Sequence, residues 1–253
     1  MFVIVQIDVT MNACLYFSVL KDGDVSAELM AQREAHYEKY LGDLDQVVMK
    51  STGQKPVNVD IYTFAPTEER PFYVLITGGM SDQRQNIPED WDIAPRAELM
   101  LYTLHPKGWM YSVLRGLAEM CFEKDTFLSY RHTIPNGRPM TSEPSLLTAF
   151  TFLPPQLEED GFQSMQVDGD DTDLLLLVPI TEAEREYAVE QGTDDLYNLF
   201  AQHLDPVIDE HRSCVVTGQQ SPSVSSQAAP LPLSTQPLST PPSNTPPKDA
   251  DLS

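Results

Sequence analysis

The sequence predicts an α+β fold: a mixed, largely antiparallel sheet with packed helices, in a single domain followed by a disordered tail. Three observations predict it. Strand patterns come in groups between helical patterns rather than in strict alternation, which argues against a doubly wound sheet. The 253 residues are 41% hydrophobic and 9% aromatic, sufficient for one large core without disulfides or metals. Beyond Thr217 the composition changes, with eight Pro, eight Ser, four Thr and no aromatic residue in 217–253. Such a stretch cannot bury enough apolar surface to offset its ordering entropy. The chain therefore divides into a leader or extra strand over 1–25, a domain over 26–216 and the tail.

Met1 to Leu20 is apolar but interrupted by Gln6, Asp8 and Asn12. It has no basic start and no apolar run long enough to span a bilayer, so it predicts no export signal. Residues 26–41 read as a helix, with Ser26 as N-cap and Gly42 as the stop. Val57, Val59 and Ile61 alternate with Asn58 and Asp60, the pattern of a half-buried strand. Phe72–Ile76 is rich in β-formers and is stopped by Gly78-Gly79. Ala97–Leu104 reads as a further strand. Over 109–122, Met110, Val113, Leu114, Leu117 and Cys121 share one helical face.

Leu146–Leu153 and Leu174–Val178 are two more strands. The second is uniformly apolar, as a strand covered on both faces must be, and Pro179 is read as its end. Thr181 and Glu184 form a T-x-x-E capping box opening a helix that Gly192 closes. A final helix from about Asp194 turns Leu196, Leu199, Phe200 and Leu204 inward. No fixed-period repeat is visible.

Lys and Arg total 16 against 38 Asp and Glu, a net charge of −22. The tail contributes only Lys248, Asp249 and Asp251, so nearly all of this charge belongs to the body. A field of that sign repels phosphate backbones and anionic headgroups, which argues against nucleic acid and membrane as partners. It attracts a protein with a basic surface. Cys14, Cys121 and Cys214 form no CxxC pair or disulfide framework, which suits a reducing, cytoplasmic setting.

Catalytic signatures for nucleotides, metalloproteases and α/β-hydrolases are missing. Thr77-Gly78-Gly79-Met80-Ser81-Asp82 is the one Gly-rich turn after a strong strand. It reads as a structural turn; the alternative is a hydrolase using Ser81, Asp82 and a histidine. None of the five histidines has close ligand spacing except, loosely, His211 with Cys214, so no metal and no cofactor are expected. Asp168, Asp170, Asp171 and Asp173 surround Gly169 without EF-hand spacing and read as a solvated acidic loop. With Glu158, Glu159 and Asp160, this stretch is a candidate contact for a basic partner. A third reading makes the chain a regulatory scaffold whose Pro-rich tail recruits a Pro-recognising partner.

The segment Pro66 to Asp82, with its strand ending in Gly-Gly-Met-Ser-Asp, resembles the hallmark of suppressor of fused domains. Ala97–Leu101, the helix from Trp109, Leu147–Phe152, Val178–Glu184 and Gly192–Leu196 follow in the family's order, and the resemblance spans about 30–216. It implies a mixed α/β fold without established catalysis. Animal members bind Gli-type transcription factors in the cytoplasm, and bacterial single-domain relatives look like immunity proteins that bind toxins. This chain resembles the bacterial form, because the animal protein continues into a second folded domain. The family's Ser-Asp turn lies near its partner-binding edge, which adds Asp82 and Ser81 to the candidate contacts.

Overall fold

The computed structural model describes residues 22–48, 57–141 and 143–222. Of the leader over 1–25, residues 1–21 with Cys14 lie outside the described residues, as does the tail over 217–253 from 223 onward. The helices are α1 (Asp22–Leu41), α2 (Gly108–Glu123), α3 (Glu182–Gln191) and α4 (Thr193–His203). The strands are β1 (Gln46–Val48), β2 (Asp60–Phe64), β3 (Tyr73–Gly78) and β4 (Arg96–Thr103). They continue with β5 (Thr133–Pro135), β6 (Leu147–Leu153), β7 (Ser164–Val167) and β8 (Asp170–Thr181). Among the described residues no helix is long and apolar enough to cross a membrane.

One sheet runs β1-β2-β3-β4-β8-β6-β5, with β7 paired to the start of β8. All neighbours are antiparallel except β4 with β8. This is the mixed, mostly antiparallel sheet that the grouped strands predict. β8 is its axis: β4 takes one edge, while β7 and β6 share the other in succession.

The strand period of two divides the core. Leu174, Leu176, Val178 and Ile180 pack on one face with Leu29 and Tyr37 of α1, Ala188 of α3, and Leu196 and Phe200 of α4. Leu175 and Leu177 pack on the other with Leu75, Leu99, Leu101 and the Met110, Leu114, Leu117 and Cys121 stripe of α2. The uniformly apolar run of β8 is thus covered on both sides.

The structure departs from the sequence reading in four places. α1 begins at Asp22, so Ser26 lies inside the helix and does not cap it. Val57 and Val59 are buried but precede β2, which starts at Asp60. β8 runs through Pro179 to Thr181. Beyond Leu176 it is paired only with β6, and an edge position tolerates a residue without an N–H. Finally, Asp168 to Asp173 is not a solvated loop. Asp168 (φ 54) and Gly169 (φ 75) are the two positive-φ residues of a hairpin turn joining β7 to β8, the Asp-Gly signature of type I′.

The Thr181–Glu184 capping box is present in full. Glu184 has a second role: both its oxygens accept from Arg212, at 2.7 and 2.6 Å, and Oε1 also accepts the Val215 N–H at 2.8 Å. This pins the segment after α4 onto α3. Residues 217–222 then turn back, with the Ser221 hydroxyl donating to the Arg212 carbonyl at 2.9 Å.

Candidate functional site

α1 gathers the sequence-predicted contact residues. It buries Leu29, Arg33, Tyr37 and Leu41 at i, i+4 spacing, and neighbouring positions reach three separate loops. Gln32 accepts the Asp168 N–H at 2.9 Å. Arg33 pairs with Asp82. His36 Nε2 bonds the Phe162 carbonyl at 2.9 Å. The β7–β8 hairpin, the Ser-Asp turn and loop 154–163 are therefore fastened along one helix.

The Ser-Asp turn is built around Glu98, a fully buried carboxylate inside β4. Glu98 accepts from Thr77 Oγ1 at 2.6 Å, the Gly79 N–H at 2.9 Å, the Ser81 N–H at 3.0 Å and the Ser81 hydroxyl at 2.7 Å. Arg33 Nε stands 3.6 Å from it. Gly79 is obligatory here, at φ 115 and with the Asn58 carbonyl 2.0 Å from where a Cβ would sit. Tyr37 closes the turn from α1 by donating to the Thr77 carbonyl at 2.9 Å.

This geometry removes the hydrolase reading of Ser81. The side chain is fully buried, its proton goes to Glu98, and among the described residues no histidine bonds to it. For the same reason Ser81 offers no surface to a partner. Asp82 keeps 26% of its side chain exposed. Burial raises its pKa above the usual carboxylate value, and Arg33 offsets only part of that.

Arg96 joins the turn to the hairpin. It donates to the Ser81 carbonyl at 2.7 Å, to Asp170 at 2.8 Å and to Asp168 at 2.8 Å. Arg84 adds two more bonds to Asp170, at 2.7 and 2.5 Å. These two guanidinium groups hold the Asp170 carboxyl down to about 2, so its charge is already answered from within. Glu158 is half-buried, accepts the Tyr102 hydroxyl, and has its pKa raised by burial.

Glu159, Asp160 and Asp171 differ. All three are exposed and pair with no cation among the described residues. Of the seven candidates they carry the free charge, while Asp82, Asp170 and Glu158 hold the rim in place. Sequence reasoning missed Arg33, Arg96 and Glu98. A lone Glu within the apolar run Ala97–Tyr102 was the available signal, because a buried charge demands partners.

Glu143, Glu210 and His211 place ligand atoms within 4.8 Å of one another. Both Glu210 oxygens, however, accept protein donors: Lys107 Nζ at 2.6 Å and Trp109 Nε1 at 2.7 Å. Cys214 is buried and its sulfur accepts the Thr181 hydroxyl at 3.2 Å.

A family model described as suppressor of fused protein matches residues 55–213. The chain belongs to the suppressor of fused family. The matched span takes in the Ser-Asp turn, Glu98, the acidic loop and the hairpin, but begins after α1 and β1. Among solved structures, a SUFU homologue from Neisseria gonorrhoeae superposes with a TM-score of 0.57 at 16% identity, covering 76% of this chain and 97% of that one. A chain of the Sufu–Fu complex gives 0.54 at 16% identity, covering 74% and 90%. Drosophila Suppressor of fused gives 0.53 at 17%, covering 75% of this chain but 50% of that one. At these identities the likeness is one of fold. No curated protein sequence matches.

Proposed function

We propose that this suppressor of fused domain is a non-catalytic protein-binding module that sequesters or neutralises a partner with a basic surface. The finer reading is an immunity-type protein whose partner is a toxin domain, acting in the cytoplasm. The observation that carries the proposal is the unanswered acidic rim, Glu159, Asp160 and Asp171, set on loops that α1 and Arg96 hold in fixed positions. A rigid rim of one sign accelerates encounter with a surface of the other and excludes wrong partners. Protein binding also accords with a structurally similar chain solved in a Sufu–Fu complex.

The test is retention of a partner by the full chain and by an E159K/D160K/D171K variant. The expected result is loss of retention in the variant, with circular dichroism and thermal unfolding unchanged. Equal retention by both would refute the acidic-rim reading.

A further inference from the structure

The loop over 83–95 runs from the Ser-Asp turn back to β4 and carries Trp91, 48% exposed. A large exposed aromatic is a common mark of an interaction site when it is held rigidly. Trp91 is so held. Its ring meets Phe127 at 5.2 Å and 77°, and His132 at 6.0 Å and 72°; Phe127 and His132 lie 5.1 Å apart.

Gln85 staples the two loops that bring these rings together. Its side-chain amide donates to the Leu128 carbonyl at 3.1 Å and accepts the Leu128 N–H at 2.8 Å. Its own N–H donates to the Pro95 carbonyl at 2.9 Å, closing the base of the loop. The His132 side is anchored to β6, where the Thr151 hydroxyl donates to the His132 carbonyl at 3.0 Å. The Trp91 N–H donates to the Pro88 carbonyl at 3.1 Å.

The surroundings of the indole are acidic. Glu89, Asp90 and Asp92 flank it, are exposed, and pair with no cation among the described residues. The nearest sequence cation on the facing segment, Arg131, is taken by Asp194 at 2.9 Å. A half-exposed indole with exposed acidic residues on both sides of it in sequence suits a guanidinium or ammonium group. The ring quadrupole attracts the cation from one side, and the carboxylates accept its N–H groups.

We infer that Trp91, flanked by Glu89, Asp90 and Asp92, anchors a docking surface for a cationic protein segment, with an arginine or lysine laid over the indole. This rests on the reading above for the sign of the partner's charge, and locates a contact on a loop separate from the acidic rim. The pre-set ring loses little conformational freedom on binding.

The experiment uses the full chain and a labelled oligo-arginine peptide, with oligo-glutamate as control. In a W109F chain, Trp91 is the sole tryptophan of the two in the sequence. Its emission should quench saturably with oligo-arginine and stay unchanged with oligo-glutamate. By anisotropy, W91A with Trp109 intact should bind oligo-arginine about tenfold more weakly, the loss expected for a partly desolvated cation–π contact. W91F should recover part of that loss.

Unchanged affinity in W91A, or unquenched Trp91 emission at saturation, would overturn the inference. The E159K/D160K/D171K variant separates the two claims. If it alone weakens the peptide, the rim reading stands and the Trp91 surface falls; if W91A alone does, the reverse holds. A peptide of residues 229–248 that quenches Trp91 and displaces oligo-arginine would assign the surface to the chain's own tail and overturn the inference.

Discussion

Arg33 and Glu98 illustrate how this fold tolerates charge in its interior. Glu98 is fully buried and receives four hydrogen bonds from one turn, and Arg33, itself buried, brings the compensating charge from α1. Removing only the cation leaves a carboxylate desolvated and uncompensated. R33M is therefore expected to destabilise by about 3–5 kcal/mol, measured by urea unfolding. The R33M/E98Q double variant should recover part of that loss, because neither partner is then charged. The partners were not legible in the sequence, where sixty-four residues separate Arg33 from Glu98.

Asp173 gives a pH signature. Burial, with Asp171 nearby, pushes its carboxyl up to about 6, against about 3.9 in an unfolded chain. Folding therefore favours the protonated form, and that contribution is full below about pH 4 and lost as pH rises through about 6. Allowing for solvent screening of a half-buried group, D173N should be about 1 kcal/mol more stable than wild type at pH 7. The gain should vanish near pH 4. A pH series of thermal unfolding checks it; a gain independent of pH would place the effect elsewhere.

At the scale of elements, legibility follows the period of the pattern. β3, β4 and β6 were readable as runs of β-formers long enough to fill both core faces, and α2 as a helical period repeated toward one face. β1 and β5 have three residues each, too few to establish a period. β7 has four in strict alternation, and its signal was the Asp168-Gly169 turn, obscured by the run of acids beside it. The capping box was legible as a local motif. The tie from Glu184 to Arg212 was not, since tertiary packing alone brings them together.

That tie makes a prediction for an element. E184A removes the side-chain half of the capping box and releases the segment 205–222, and should raise amide exchange there and at the start of α3, with β3 and β4 still protected. The cap alone is worth about 1 kcal/mol, so uniform loss of protection throughout the sheet would mean that Glu184 supports the whole fold. The α2 stripe gives a simpler check. Cys121 is buried and its thiol is pushed up to about 12, so it should resist a thiol reagent in the native protein and react after denaturation.

At the scale of the whole molecule, composition established the sign of the charge and little about its placement. The fold distributes it unevenly in effect. Arg84 and Arg96 answer Asp168 and Asp170, Arg212 answers Glu184, and Arg33 answers Asp82 and Glu98. Glu159, Asp160 and Asp171 on the rim, and Glu89, Asp90 and Asp92 around Trp91, are left to act outward. The family order of motifs was legible from Pro66 to Leu196, and the family match covers that span. The role of α1 in holding the rim was not, because the three loops it fastens are distant in sequence.

Recruitment of a basic partner by this unanswered charge has a kinetic signature. The most direct measurement is the association rate of the full chain with its captured partner, followed from low to physiological ionic strength in wild type and in E159K/D160K/D171K. Recruitment by the rim predicts a wild-type rate that falls at least tenfold as salt screens it, and a variant rate that is slower and falls less steeply with salt. A wild-type rate indifferent to salt and equal to that of the variant would contradict it.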